Sequence, residues 1–325
     1  MIPGCQTIRI RTDAGLPRDA AAPLIVSASR ATDIPAFYAR WFVERLRRGY
    51  ARRVNPFNRQ SQYISFQNAR AVVFWTKNPR PMFPFLSAIE QRGLGYYFQF
   101  TLNDYEREGL EPGLPPLAER IAAFQELATR LGPERVVWRW DPLLLTERLD
   151  LDALLERLSR VAEQLRGYTQ RLVISFIDIA AYAKVRRNLA RANAACREFT
   201  PDLMLETARR LERLNREWRL DMAACAEDID LTAYGIERGR CIDDRLLRRL
   251  FPQDRPLTEF LAAGARSPRG LKDRGQRPGC GCIVSKDIGM YNTCPHLCAY
   301  CYANTSPAAV ARNRSWHDEH GAALA

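Results

Sequence analysis

Short apolar runs rich in Val, Ile, Phe and Tyr recur along the chain, at residues 24–28, 71–75, 96–102, 136–140, 172–177 and 220–225, with a shorter one near 52–55. Runs of this length read as strands, and their lack of polar alternation means that both faces are buried. Between them, apolar residues fall at helical spacing: Ile121, Phe124, Leu127, Ala128 and Leu131; Leu154, Leu155, Leu158, Val161 and Leu165; Leu205, Ala208, Leu211 and Leu214. Strand followed by helix, repeated six or seven times, predicts an α/β fold with a parallel sheet covered by helices. A TIM-like (βα) barrel, complete or partial, follows from that rhythm.

Asp244 is placed to cap a short helix containing Leu246, Leu247, Leu250 and Phe251. Residues 1–23 then read as a loosely ordered lead-in, 24–251 as the barrel and 252–279 as a flexible connector rich in Pro, Gly and charge. Residues 280–304 form a Cys-rich segment that completes the barrel, and 305–325 a polar tail with no structure assigned.

Polar residues collect just after the apolar runs: Ser29, Arg30, Thr32 and Asp33; Asn55 and Asn58; Thr76, Lys77 and Asn78; Asn103; Asp141; Asp178; Glu227 and Asp228. In a parallel barrel every strand ends on the same side, so these groups converge on one mouth, where such folds keep their chemistry. Loop polarity and helix capping account for part of the set. Arg30, Asp33, Lys77, Arg139, Asp141 and Glu227 are the charged candidates for holding a substrate or cofactor, although ion pairs that only satisfy one another would look the same. Trp75, Tyr97, Trp138 and Trp140 fall inside the runs and read as core.

The 325 residues carry 49 basic and 37 acidic groups, a net charge of +12 that raises nucleic acid as a partner. Only Lys77, Lys184, Lys272 and Lys286 are lysines, and codon composition produces such an arginine skew without selection for phosphate binding. A solvated basic surface is the plainer reading. No run approaches the roughly 18 to 20 apolar residues of a membrane span, and the N-terminus lacks a signal pattern, so a cytoplasmic protein without a membrane partner is expected.

Cysteine changes the picture most. Nine cysteines in a cytoplasmic chain point to metal or redox chemistry rather than disulfides, and seven lie between Cys225 and Cys301. Cys5 and Cys196 have no neighbours at ligand spacing and read as incidental. Cys294, Cys298 and Cys301 form a Cys-x3-Cys-x2-Cys pattern. Three thiolates can hold three corners of a [4Fe–4S] cluster and leave the fourth iron open to a small molecule. Zinc is the alternative, with His296 or another cysteine closing the tetrahedron. Cys225, Cys241, Cys280 and Cys282 make a second set, sufficient for an auxiliary iron–sulfur cluster or a structural zinc if the connector folds back; buried unliganded thiols are the plainer alternative. Beyond His296 the histidines are His317 and His320, both in the tail and assigned no role.

The string CPHLCAYCYA resembles the signature of the radical S-adenosylmethionine superfamily, in particular its spore photoproduct lyase-like branch. The resemblance implies a cluster on Cys294, Cys298 and Cys301, S-adenosylmethionine bound at its open iron, and reductive cleavage to a 5′-deoxyadenosyl radical. It also implies an electron donor such as a flavodoxin or ferredoxin. Tyr300, just before the third cysteine, is placed near the adenine by the resemblance and in the core by default. The superfamily's glycine-rich segment has no clear counterpart, and Ser27, Ser29 and Arg30 stand in its place as cofactor-binding candidates.

The superfamily carries these cysteines near the N-terminus, after the first barrel strand, whereas here they follow residues 288–292. A circular permutation accounts for this, with 288–292 as the strand before the cluster loop, packed beside 24–28. From Ile25 to Asn304 the chain resembles the domain-of-unknown-function 1848 family, through SASRATDIPAFY, NPFN, VVFWTKNP, FQFTLNDY, WRWDPLLLT, ISFIDI, CAEDIDLTAYGIERGRCID and the terminal cysteine segment. The expected function is a radical S-adenosylmethionine enzyme of unknown substrate. Two alternatives stand beside it: a non-catalytic protein, stabilised by zinc or a cluster, that binds nucleic acid or another acidic partner, and an electron-transfer protein with two clusters.

Overall fold

The chain opens on a hairpin of β1 (Cys5–Arg11) and β2 (Pro17–Pro23), then enters β3 (Ile25–Ala28). The structure is a computed structural model and describes residues 4–55, 60–267 and 270–325. After β3 come α1 (Ile34–Phe37), α2 (Ala39–Arg48), β4 (Tyr50–Val54), β5 (Ser61–Ser65) and β6 (Ala71–Thr76). Helix and strand then alternate through α3 (Leu86–Gln91), β7 (Gly95–Thr101), α4 (Leu117–Leu131), β8 (Val136–Leu143) and the short β9 (Leu145–Thr146). They continue through α5 (Leu151–Gln164), β10 (Arg171–Phe176), α6 (Ala183–Arg191), the short β11 (Cys196–Arg197), α7 (Pro201–Trp218) and β12 (Asp221–Ala224). The last part adds β13 (Ile236–Arg238), α8 (Asp244–Leu250), α9 (Arg255–Arg266), β14 (Lys286–Asp287) and α10 (Pro307–Ser315).

One parallel sheet of eight strands, in the order β13-β12-β10-β8-β7-β6-β3-β14, forms the centre. Strand order follows the chain except at one edge, where β14 lies beside β3 with Lys286 opposite Val26 and Asp287 opposite Ser27. The α/β class and the parallel sheet are as expected. A closed barrel is not present: among the described residues the edge strands β13 and β14 form no ladder with each other, so the sheet stays open. The strand expected at 288–292 is shorter and earlier. Only Ile288 N–H extends the pairing, to Ser27 O at 3.1 Å, before Gly289 carries the chain off the edge.

Alternate strand residues serve different cores, as the period of two requires. Val26, Val72, Phe74, Phe98, Trp138 and Ile174 pack under α2 to α7, whereas Ile25, Val73, Tyr97, Val137, Val173 and Ala223 pack with Leu246, Leu247, Leu257 and Leu261 of α8 and α9. Both faces of the central strands are dry, which is why they read as unbroken apolar runs.

Three stretches are more ordered than the sequence pattern implies. The lead-in is a hairpin with Cys5 opposite Pro23 and Arg11 opposite Pro17, and β2 joins β5 and β4 in a four-stranded sheet. Backbone ladders rather than a buried apolar stripe hold it, so no periodicity betrays it. The connector contains α9, begun by the Asp254 side chain capping Leu257 N–H at 3.0 Å. The tail contains α10, capped by Ser306, and it is docked: fully buried Arg45 donates to His320 O at 2.8 Å, and the His317 ring meets Tyr38 edge-on at 4.8 Å. Asp243, rather than Asp244, caps α8. The Asn58 candidate lies outside the described residues. Among the described residues no helix is long and apolar enough to cross a membrane.

Candidate metal centre

All eight strands of the central sheet are parallel, so their C-terminal ends share one edge, and Asp33, Lys77 and Asn103, just after β3, β6 and β7, reach the loop that follows β14. Asp287, the last residue of β14, fixes where that loop starts. Its carboxylate accepts from Ser27 Oγ (2.6 Å), Ser29 Oγ (2.7 Å), Arg30 N–H (2.8 Å) and Gly289 N–H (2.8 Å). The approach is so close that a Cβ on Gly289 would stand 1.9 Å from Ser29 Oγ. Ser27 and Ser29 are therefore committed to anchoring the loop. The Arg30 guanidinium lies over the Trp75 ring, 4.9 Å from its centroid.

The loop itself is pinned from two sides. Asn188 of α6 donates through Nδ2 to Cys301 O and Asn304 O, both at 2.9 Å, and Asn304 Nδ2 donates to Cys294 O at 2.8 Å. On the other side Ala299 N–H donates to Leu110 O (2.8 Å) and Gly113 N–H to His296 O (3.0 Å). A Cβ on Gly113 would sit 2.5 Å from Pro295 O, an immovable backbone atom. We expect Gly113→Ala to cost about 1–3 kcal/mol by overpacking, read by urea titration.

Cys294, Cys298 and Cys301 are all free thiols in this loop. Burial pushes the Cys294 thiol up to about 12, with the Asp33 and Cys301 charges adding to it. Burial also lifts Cys298 well above the ordinary range, with Glu111, Cys301 and Cys294 adding and Lys77 opposing. Cys301 is raised by burial as well, against the backbone N–H groups of Asn304 and Ala303, which approach its Sγ at 3.4 and 3.3 Å. Cys298 thus feels the charges of both Cys294 and Cys301, and Cys294 that of Cys301. Unmetallated thiols so placed are inert, and a metal that binds them must displace their protons and supply the compensating charge.

His296, the remaining ligand candidate within the loop, is already engaged. It is buried, Nε2 donates to Asp33 Oδ2 at 2.8 Å, and Nδ1 faces Gly113 O at 3.3 Å. Among the described residues no group of three or more His, Cys, Asp or Glu side chains is gathered as one metal ion requires. A cubane cluster gives each thiolate its own iron, so its ligands stand further apart than those of a single ion.

Tyr300 is buried in a polar network rather than exposed. Its hydroxyl donates to Glu111 and accepts from Lys77 Nζ and Asn103 Nδ2, each at 3.0 Å, while Lys77 Nζ also donates to Glu111 Oε1 at 2.6 Å. Arg120 completes the network 3.5 Å from Glu111.

A family model, Domain of unknown function (DUF1848), matches residues 25–303. The chain belongs to that family. No curated protein and no solved structure matches it. The DUF1848 match takes in all eight strands of the parallel sheet and both cysteine sets, and leaves out β1, β2 and α10.

Within the DUF1848 region the other strand-end candidates pair among themselves. Arg139 donates to Asp141, to Gln99 Oε1 at 3.3 Å and to Cys241 Sγ at 2.7 Å, and Asp141 also accepts from Ser175 Oγ. Glu227 accepts from Phe176 N–H at 2.9 Å, and burial, followed by the Asp178 and Cys225 charges, pushes its carboxyl up to about 7. Tyr97, Trp138 and Trp140 are core, as expected. Cys225, Cys241, Cys280 and Cys282 are brought together on the face covered by α8 and α9, while Cys5 and Cys196 lie outside that group. Sequence reasoning missed Asp287, Glu111, Asn188 and Asn304. Asp287 and Asn304 flank the cysteine string, but Glu111 and Asn188 lie in stretches with no motif and become relevant only through the fold.

Proposed function

We propose that the chain holds a [4Fe–4S] cluster on Cys294, Cys298 and Cys301 and acts as a radical S-adenosylmethionine-type enzyme. The carrying observation is that one pinned loop presents three free thiols while His296, its other candidate ligand, is bound to Asp33 and Gly113. Three protein ligands and no fourth suit a cluster with an open iron better than a zinc tetrahedron. When bound, the cluster supplies the electron that cleaves S-adenosylmethionine to methionine and a 5′-deoxyadenosyl radical.

The chain's own residues do the positioning. The N–H groups of Ala303 and Asn304 meet Cys301 Sγ and offset charge there. Lys77 lends positive charge near Cys298 and, with Glu111 and Asn103, holds Tyr300 still. Arg139, Asp141, Ser175 and Glu227 line the same C-terminal edge of the sheet and are the groups we assign to the substrate. The placement of β14 beside β3 supports reading the sheet as a partial barrel, circularly permuted relative to radical S-adenosylmethionine enzymes. A cytoplasmic setting with a flavodoxin or ferredoxin as reductant accompanies this reading.

Anaerobically purified protein is expected to be brown, to contain iron and sulfide and, after dithionite reduction, to convert S-adenosylmethionine to 5′-deoxyadenosine. Colourless zinc protein without turnover would instead mark a metal-stabilised binding protein. Iron without turnover would mark an electron carrier.

A further inference from the structure

On the face of the sheet opposite α2 to α7, four cysteines from three separate stretches meet. Cys225 leaves β12, Cys241 lies between β13 and α8, and Cys280 and Cys282 precede β14. All four pack in the core that contains Tyr97, Val137 and Leu247, and none is in a disulfide. Cys225 Sγ lies 3.5 Å from Cys241 Sγ. Two thiolates that share one tetrahedral iron of a two-iron cluster stand at a comparable separation.

Two of these sulfurs receive hydrogen-bond donors. Cys282 Sγ accepts two backbone N–H groups, from Cys241 at 3.2 Å and Ile242 at 3.4 Å, and Cys241 Sγ accepts from the buried Arg139 guanidinium at 2.7 Å. A neutral thiol is a weak acceptor, so three donors on two sulfurs are poorly used without ionisation. The Arg139 Nε, also buried, has no partner.

The backbone is shaped to hold this arrangement. Tyr97 Oη and Gln99 Nε2 both donate to Cys241 O, at 2.6 and 2.8 Å, fixing that residue from the sheet side. A Cβ on Gly239 would stand 2.5 Å from Ala224 O, and one on Gly281 would stand 2.9 Å from Gly239 O. Two glycines therefore let the Cys241 segment lie directly on the end of β12 and the Cys282 segment directly on Gly239 and Arg240. Four sulfurs ionised together in a dry core would need more positive charge than Arg139 and Arg30 bring, and a bound metal is the group that supplies it.

We propose that Cys225, Cys241, Cys280 and Cys282 hold a second metal centre, a tetrathiolate site for an iron–sulfur cluster, separate from the Cys294, Cys298 and Cys301 tripod. Its position gives it a structural consequence. Cys225 and Cys241 flank β13 at one edge of the open sheet, whereas Cys280 and Cys282 lead into β14 at the other. A shared metal would reinforce the backbone hydrogen bonds that join the segments beside these edges, Gly281 N–H to Gly239 O at 3.2 Å and Ile283 N–H to Ile242 O at 3.1 Å. The proposal stands whether or not the tripod performs radical chemistry.

The test is a metal count on two full-length proteins purified anaerobically, the wild type and the triple variant Cys294→Ala, Cys298→Ala, Cys301→Ala, with circular dichroism confirming the fold. The wild type is expected to carry metal for two centres and the triple variant for one. Adding Cys225→Ser and Cys282→Ser to the triple variant should remove the remainder. Iron with sulfide in the triple variant is the expected result, and zinc without sulfide overturns the proposal. A folded triple variant with neither metal, or one that keeps its metal after the Cys225→Ser and Cys282→Ser changes, overturns the proposal. Should the triple variant fail to fold, a wild type carrying metal for only one centre, lost in Cys298→Ala but unaffected by Cys225→Ser, overturns it equally. Loss of turnover in the triple variant bears on the tripod alone, so the two readings fail separately.

Discussion

Cys298→Ala is expected to reduce 5′-deoxyadenosine formation to the background without enzyme and to remove the iron held by the terminal loop, leaving the chain folded. The side chain is buried and packs in the main core, but alanine removes only one sulfur atom, a small change in volume. The loop keeps its other anchors, because Asn188, Asn304, Gly113 and Leu110 hold it through backbone groups that the substitution does not touch. Loss of metal would then report ligation rather than unfolding. Cys196→Ala is the matched control, since Cys196 lies in β11 away from both sulfur groups, and it should keep full iron and turnover. Full iron and full turnover in Cys298→Ala itself would remove this loop from the chemistry.

The parts of the molecule legible in the sequence are those whose physical cause is local or periodic. Strands such as β6 and β7 are buried on both faces, so composition alone marks them, and the cysteine loop is legible because Cys294, Cys298 and Cys301 fall within one short stretch. Other elements depend on partners distant in the chain. β14 is two residues long and exists because β3 offers it an edge, so no apolar run announces it. The hairpin of β1 and β2 is held by its ladder, and its second strand is largely alanine, too weak a pattern to read. α9 and α10 begin with capped prolines inside stretches whose Pro and Gly content otherwise signals loops.

The same logic governs the site. His296 looks like a metal ligand beside three cysteines until Asp33, from the other end of the chain, takes its Nε2. Ser27 and Ser29 look like cofactor ligands until Asp287 takes both hydroxyls. The second cysteine group is legible only as a count of four, since what joins its members is the packing of β12 against the segment before β14.

Glu111→Gln should give the largest loss of stability of any single change at the site, about 3–5 kcal/mol in chemical denaturation. The Glu111 side chain is 3 % exposed and is shared by Lys77 at 2.6 Å, Arg120 at 3.5 Å and the Tyr300 hydroxyl. Gln keeps the shape and removes the charge, which leaves Lys77 without its anion and Arg120 with only the exposed Glu106, 3.6 Å away. Lys77→Met should cost less, because Glu111 retains Arg120 and Tyr300. The double variant should lose less than the sum of the two, by a coupling of about 0.5–3 kcal/mol, since the second change removes a charge the first has left unpaired. The pH dependence follows from the same charges. Burial would raise the Glu111 carboxyl, but Lys77 and Arg120 outweigh it and hold the group below its ordinary value. Unfolded chain therefore takes up this proton first as pH falls, so the advantage of wild type over Glu111→Gln is complete above the ordinary carboxylate range near ~4.3 and shrinks below it. A double variant whose loss equals the sum of the singles, with no narrowing of that advantage in acid, would mean that Lys77 and Glu111 do not act as a pair. The Tyr300 hydroxyl, and with it the cysteine loop, would then need another anchor.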